Sequence, residues 1–345
     1  MLKALQVTNS PSSEHMLHLW VQRYRVDFAP LARQEDASYL LLQAASVEGR
    51  SLTVNKFQDS VLNIICQMAW IQTGKLYNYI SNIIDLQEAR RITHFTFRIY
   101  KKLLDCYQKQ ALNSHKTDNG INWGITAIAD LAYALEPILI VFQEQHLVSK
   151  DWRCLGFMTT QLNFTNQLII SKLSPVEAVL LKPYLDFVEE QVAIPWQRVC
   201  SAASQYEVMT PKLRLAQEIM SHASANALVI YQQLVQLLPH HQSRRGYLTN
   251  PDIYHSCLRD LNMFQAYICL CLLEGSLKPI QEELVPLCTM VMESLEIKWE
   301  MIEIWCQLLA QELQRKVSSE YLDLLQPYTQ GMWQLFFQQR SRLGY

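Results

Sequence analysis

Apolar residues recur along this chain at steps of three and four, and sustained alternation is absent. Such spacing gathers them on one face of a 3.6-residue helix. From Val54 to Asp85 the set Val61, Ile64, Ile65, Met68 and Ile71 predicts helix, with Gly74 as a point of division. Residues Leu86 to Gln110 predict one amphipathic helix, with Ile92, Ile99, Leu103 and Tyr107 facing inward. Ile125 to Leu147 is apolar nearly all round, which predicts a core helix kinked or divided at Pro137.

The segment Ser174-Pro175-Val176-Glu177 reads as a capping box with proline at the first helical position. Pro183 and Pro195 are then expected to bend or break the path. Pro211 to Leu238 predicts a further helix, followed by a polar loop, His240–Asn250. Pro251 opens a helix ending near Leu273, with Gly275 as its C-cap. Pro279 to Lys316 predicts the longest helix, because Leu284, Cys288, Val291, Leu295, Ile302, Trp305 and Leu309 keep a 4-3 stripe. Shorter helices are expected at 15–24 and 40–45, with 47–52 as a turn around Gly49. Nine glycines in 345 residues leave little for tight hairpins or phosphate-cradling loops.

Part of the pattern repeats. Lys172–Tyr184 and Lys316–Tyr328 share six identities in thirteen positions at an offset of 144: Lys, Ser, Leu, Leu, Pro and Tyr. Weaker echoes pair Ile99-Tyr100 with Ile230-Tyr231 and Asp130-Leu131 with Asp260-Leu261, at offsets of 131 and 130. The expected fold is therefore an all-α multi-helix bundle, with two tandemly duplicated helical units and an N-terminal helical extension. The expected sections are 1–87, 88–200 and 201–345.

Half the residues are hydrophobic and 18% are charged, with a net charge of −2. A large core is affordable, and no overall field draws the chain to nucleic acid or to an anionic membrane. The longest apolar runs fall short of a membrane span, and the N-terminus has no signal-peptide core. None of the nine cysteines forms a C-x-x-C pair, so they read as small buried hydrophobes of a cytoplasmic protein.

Candidate chemistry is sparse. Arg91, Arg98, Lys102 and Lys109 line one side of their helix and could meet an acidic partner, although a solvated face accounts for them as well. His240, His241, Arg244 and Arg245 form a basic loop suited to an anion. Glu218 and His222 share a helix face at i,i+4, yet further metal ligands at matching positions are missing. Trp70, Trp123, Trp152, Trp196, Trp299, Trp305 and Trp333 read as core or interface anchors. Phosphate-loop, dinucleotide and nucleophile-elbow signatures do not occur.

The sequence thus leads to a regulatory or adaptor protein without catalysis, which docks protein partners or a second copy of itself through helix faces. Its partner-binding residues would be the basic stripe together with Leu295, Ile302 and Trp305. No cofactor or metal is assigned. An all-α ligand or cofactor binder, or an enzyme, with an apolar pocket between helices is the alternative, and a nucleic-acid-associated regulator is the third reading.

Overall fold

The computed structural model describes residues 10–32, 36–77, 86–110, 125–149 and 153–344. Among them the chain is all-α, and its only strands are two residues long. Fourteen α-helices follow in order. They are α1 (Pro11–Val21), α2 (Ala37–Ala45), α3 (Val47–Asn55), α4 (Asp59–Leu76), α5 (Leu86–Lys109), α6 (Ile125–Ser149) and α7 (Arg153–Ile170). Then come α8 (Pro175–Ala193), α9 (Trp196–Ala203), α10 (Pro211–Leu237), α11 (Pro251–Glu274), α12 (Val285–Leu295), α13 (Trp299–Lys316) and α14 (Leu322–Arg342). Strands β1 (Gln242–Ser243) and β2 (Gly246–Tyr247) form a small antiparallel hairpin between α10 and α11. Trp123, Trp152 and the polar loop at 113–120 lie outside the described residues.

The helices group into two compact units, one spanning residues 21–193 and the other 194–345 together with 1–20. In the N-terminal unit α4 packs on α5 and α7, α7 on α8, and α6 on both α5 and α8. In the C-terminal unit α10 packs on α11 and α13, α13 on α14, and α12 on α14. By pairing order, α4 takes the place of α10, α5 that of α11, and α7–α8 that of α13–α14. The Lys172 and Lys316 stretches therefore hold the same place in the two schemes. The weaker echoes do not, because they set α5 beside α10 and α6 beside α11, one helix out of step.

Local chemistry explains several helix ends. Ser174 and Glu177 close the expected box: the Ser174 amide donates to Glu177 Oε2 at 2.8 Å, and the Glu177 amide donates to Ser174 Oγ at 3.5 Å. Glu177 also accepts from Lys56 Nζ at 2.6 Å and from Thr53 Oγ1 at 3.1 Å, so it ties α8 to α3. Gly275 ends α11 at φ 65°, as expected of a left-handed C-cap. Arg50, buried in α3, donates to the Tyr107 carbonyl at 2.9 Å and lies 4.4 Å from the Tyr107 ring centroid. A cation at the negative end of α5 is favoured there.

Several expectations are corrected. Residues 47–55 are helical rather than a turn, with the Ser46 hydroxyl accepting from the Gly49 amide at 3.0 Å. Helix α4 runs through Gly74, and it buries Leu62, Ile65, Cys66 and Ala69 while Ile64, Met68 and Ile71 remain exposed. Pro137 and Pro183 sit inside continuous helices. The long helix from Pro279 does not form. A π-turn at Ile280–Leu284 leads into α12, which stops where Glu296 adopts φ 56°, and α13 begins at Trp299.

The cores are dense with aromatic pairs. Trp20 stacks on Trp196 with centroids 4.4 Å apart, and Phe264 meets both Trp305 and Phe336 at 5.6 Å. Helix α11 is buried on every side from Leu261 to Leu273. Its two amide side chains there both donate to backbone carbonyls. Gln265 donates to the Ala223 carbonyl at 2.9 Å and accepts from Asn226 at 3.0 Å, while Asn262 donates to the Leu258 carbonyl at 2.9 Å.

Two outcomes follow for stability. Trp305→Ala should lower unfolding free energy by about 3–5 kcal/mol, the usual cost of emptying a large aromatic site, read by urea denaturation. Burial alone would raise the Glu177 carboxyl, but its bonds from Lys56, Ser174 and Thr53 hold it below the ordinary range. Its stabilising effect is therefore complete above the ordinary glutamate pKa of about 4.3 and fades as pH falls through the lower folded value. Glu177→Gln should remove about 1–3 kcal/mol at pH 7 and flatten that acid limb of the stability curve.

Candidate functional site

Helix α11 changes character halfway along. Its second half is enclosed, but its first half surfaces, with Tyr254 exposed and His255, Ser256, Arg259 and Asp260 half-buried. Cys257 lies at this transition, itself buried. Arg259 donates to Asp260 Oδ1 through Nε at 3.0 Å and Nη2 at 2.8 Å. The hairpin brings a second arginine, because Arg245 Nη1 reaches Ser256 Oγ at 3.4 Å. Tyr231 of α10 closes one side: its ring meets Tyr254 at 4.9 Å and its hydroxyl donates to the Leu248 carbonyl at 2.7 Å.

The thiol feels all three charges. Burial first, and Asp260 second, push Cys257 up to about 12, against the pull of Arg259 and Arg245. It is a protonated thiol at neutral pH, within electrostatic reach of Asp260, Arg259 and Arg245. A ligand that carries acidic groups and N–H groups can exchange with the Arg259–Asp260 pair, its acids meeting the arginines and its N–H groups meeting Asp260. The other described cysteines of this unit, Cys200, Cys269, Cys271, Cys288 and Cys306, are also buried, and Cys271 has one arginine, Arg198, with Glu274 and Glu283 nearby.

The residues singled out from sequence fall elsewhere. Arg98, Lys102 and Lys109 are exposed along α5, and Arg91 pairs with Glu88 and lies 5.7 Å from the Phe95 ring centroid. Asp105 is exposed on the same helix. Ile302 and Trp305 belong to the interior and Leu295 is half-buried at the end of α12, so the 4-3 stripe is core rather than a docking face. In the basic loop Arg244 is committed, since its amide donates to the Leu295 carbonyl at 2.9 Å and its guanidinium pairs with Glu296 at 2.7 Å. His240 is exposed, whereas His241 is buried, and burial with nearby Lys298 pushes its imidazole down against the pull of Glu300. These four residues do not converge on an anion.

Glu218 and His222 do not act together either. The Glu218 carboxylate accepts from the Ser318 amide and hydroxyl, both at 2.9 Å, and so caps the chain entering α14. Among the described residues no three His, Cys, Asp or Glu side chains gather as a metal site, and no helix is long and apolar enough to cross a membrane.

The sequence held one overlooked signal: a cysteine followed at two and three residues by Arg and Asp, just ahead of an unbroken apolar helical run. Iodoacetamide at pH 8 should alkylate Cys257 slowly in the folded chain and much faster on unfolding in urea, read by peptide mass.

Residues 199–334, from α9 into α14, match the family model described as phycobilisome protein. No curated protein and no solved structure matches the chain. The matched family is all-α and globin-like, in keeping with the helix pairing described above. The match overturns the expectation of a non-enzymatic regulatory adaptor and shifts the weight to the alternative, an all-α cofactor-binding protein.

Proposed function

We propose that the chain is a bilin-binding protein of the light-harvesting kind, and that the start of α11 holds the pigment. One observation carries this reading. Within the segment similar to phycobilisome proteins, a thiol, two arginines and a carboxylate meet where a rigid helix reaches the surface. The donor set fits a linear tetrapyrrole, which has two propionate carboxylates, pyrrole N–H groups and an electrophilic side chain.

When bound, a bilin would supply absorption of visible light. The residues of the chain do the rest. Arg259 of α11 and Arg245 of the hairpin would bind the bilin carboxylates. Asp260 would accept the N–H donors of the pigment. Cys257 is the tether. The enclosed half of α11 anchors this turn against rotation, which keeps a bound chromophore in one orientation.

The two units are copies in this reading, and the chain works with protein partners, a second copy of itself among them. Its eight described free thiols suit a reducing cytoplasm.

The test is production of the full chain in cells that make an ethylidene-bearing bilin. The wild-type polypeptide should keep visible colour through denaturing electrophoresis, and Cys257→Ser should lose the covalent pigment. Arg259→Ala should reduce uptake about tenfold, in line with loss of one charged hydrogen bond. Colourless wild-type protein, or pigment retained covalently by Cys257→Ser, would refute the assignment.

A further inference from the structure

Helix α4 turns three large aliphatic side chains to solvent. Ile64 is 55% exposed, Met68 45% and Ile71 55%, and at steps of four and three they form one crest along the helix. From Ser60 to Gly74 the helix carries no Asp, Glu, Lys, Arg or His. A contiguous apolar stripe of this kind marks a surface that a partner covers. It belongs to the N-terminal unit, outside the segment that matches the phycobilisome model.

A groove of about 650 Å³ runs beside the crest, between α4 and α5. Asn63, Gln67 and Trp70 line it, and each directly precedes a crest residue, so groove and crest run side by side. Trp70 and Phe97 give the groove apolar walls, and Phe157 backs Trp70 at 5.6 Å. Most of its lining residues are exposed, so it is an open trough rather than a closed pocket. A trough of that shape suits the crest of a helix better than a small molecule, which would stay half in water.

A crest beside a parallel groove is complementary to itself under a two-fold rotation, because each copy's crest can enter the other's groove. Charge fixes the direction. Asp59 lines one end of the groove, where Lys101 pairs with it at 2.8 Å. Arg90 lines the groove eleven residues earlier in α5, towards the Trp70 end. Lys75 follows the crest in the last turn of α4 and is exposed. With two copies of α4 antiparallel, Lys75 of each approaches Asp59 of the other, and Asp59 of each approaches the Arg90 end of the other. A parallel pair would set base against base at one end and acid against acid at the other.

We infer that the chain forms a two-fold dimer in which the α4 helices pack antiparallel, each crest of Ile64, Met68 and Ile71 seated in the α4–α5 groove of the other copy. The inference gives the self-association proposed above its surface, and it is independent of the pigment assignment.

The test is sedimentation velocity of the full chain at micromolar concentration, without added pigment. The wild type should sediment as a dimer. Met68→Glu should weaken association about a hundredfold, the usual scale for burying an unpaired charge at an interface. Leu237→Glu, which charges a similarly exposed apolar side chain of the other unit, should leave the dimer intact. Direction is read by oxidative crosslinking: Asp59→Cys combined with Lys75→Cys should give disulfide-linked dimers above the wild-type background, whereas neither single variant should. All four side chains are exposed, and far-UV circular dichroism checks that each variant is folded. A wild-type monomer overturns the inference. So does a dimer indifferent to Met68→Glu, which would leave self-association standing on a different surface, and so does crosslinking of the single variants, the mark of a parallel pair. Covalent colour on Cys257 is read separately, so the dimer and the pigment assignment can fail one without the other.

Discussion

A helix enclosed on all sides has no solvent to satisfy its polar groups, and α11 meets that constraint over its whole second half. Its backbone is satisfied by the helix itself, its carbonyl end by Gly275 and Gln265 by α10, while Asn262 donates to its own preceding turn and leaves its Oδ1 without a partner. The partners of α11 are arranged around that demand: α9, α10 and α14 all pack against it. A turn that emerges from such an enclosed rod has little freedom to tilt or rotate. The position of Cys257, Arg259 and Asp260 is a consequence of the enclosure rather than of any loop.

Helix α5 meets the opposite condition. It is strongly amphipathic, with Ile92, Ile99, Leu103 and Tyr107 buried and Arg98, Lys102 and Lys109 in solvent. One side therefore remains open, and the groove against α4 lies along it. Its C-terminal end is still held firmly, because Arg50 brings a buried cation to the Tyr107 carbonyl and places its guanidinium near both tyrosine rings. Its Nη1 meets a helix end and the Tyr184 hydroxyl and its face meets the Tyr107 ring, while its Nε has no partner.

Much of the fold was legible because helices announce themselves through period and caps. The capping box at Ser174 and the C-cap at Gly275 were readable residue by residue. Orientation was harder: Ile64, Met68 and Ile71 mark a helix, but period alone does not say which face a neighbour covers. The break at Glu296 was also hidden, since nothing in Leu295-Glu296-Ile297 announces a left-handed turn. A 4-3 stripe interrupted at a single slot, by Lys298, looked like one long docking rod, whereas it serves two short core helices. The site was obscured for a related reason. Cys257 sits in an apolar pattern and counts as a hydrophobe by spacing, and the charge that sets it apart comes partly from Arg245, which only the hairpin brings near.

Glu296 holds a backbone shape that glycine adopts freely and that costs other residues about 1–2 kcal/mol. Its carboxylate also grips Arg244 and pins the hairpin that carries Arg245 towards α11. At this position chain comfort and hairpin anchorage are set against each other. A glycine would relax the bend and loosen the arm that completes the pocket of charges. The molecule keeps a locally awkward residue where ease would cost reach.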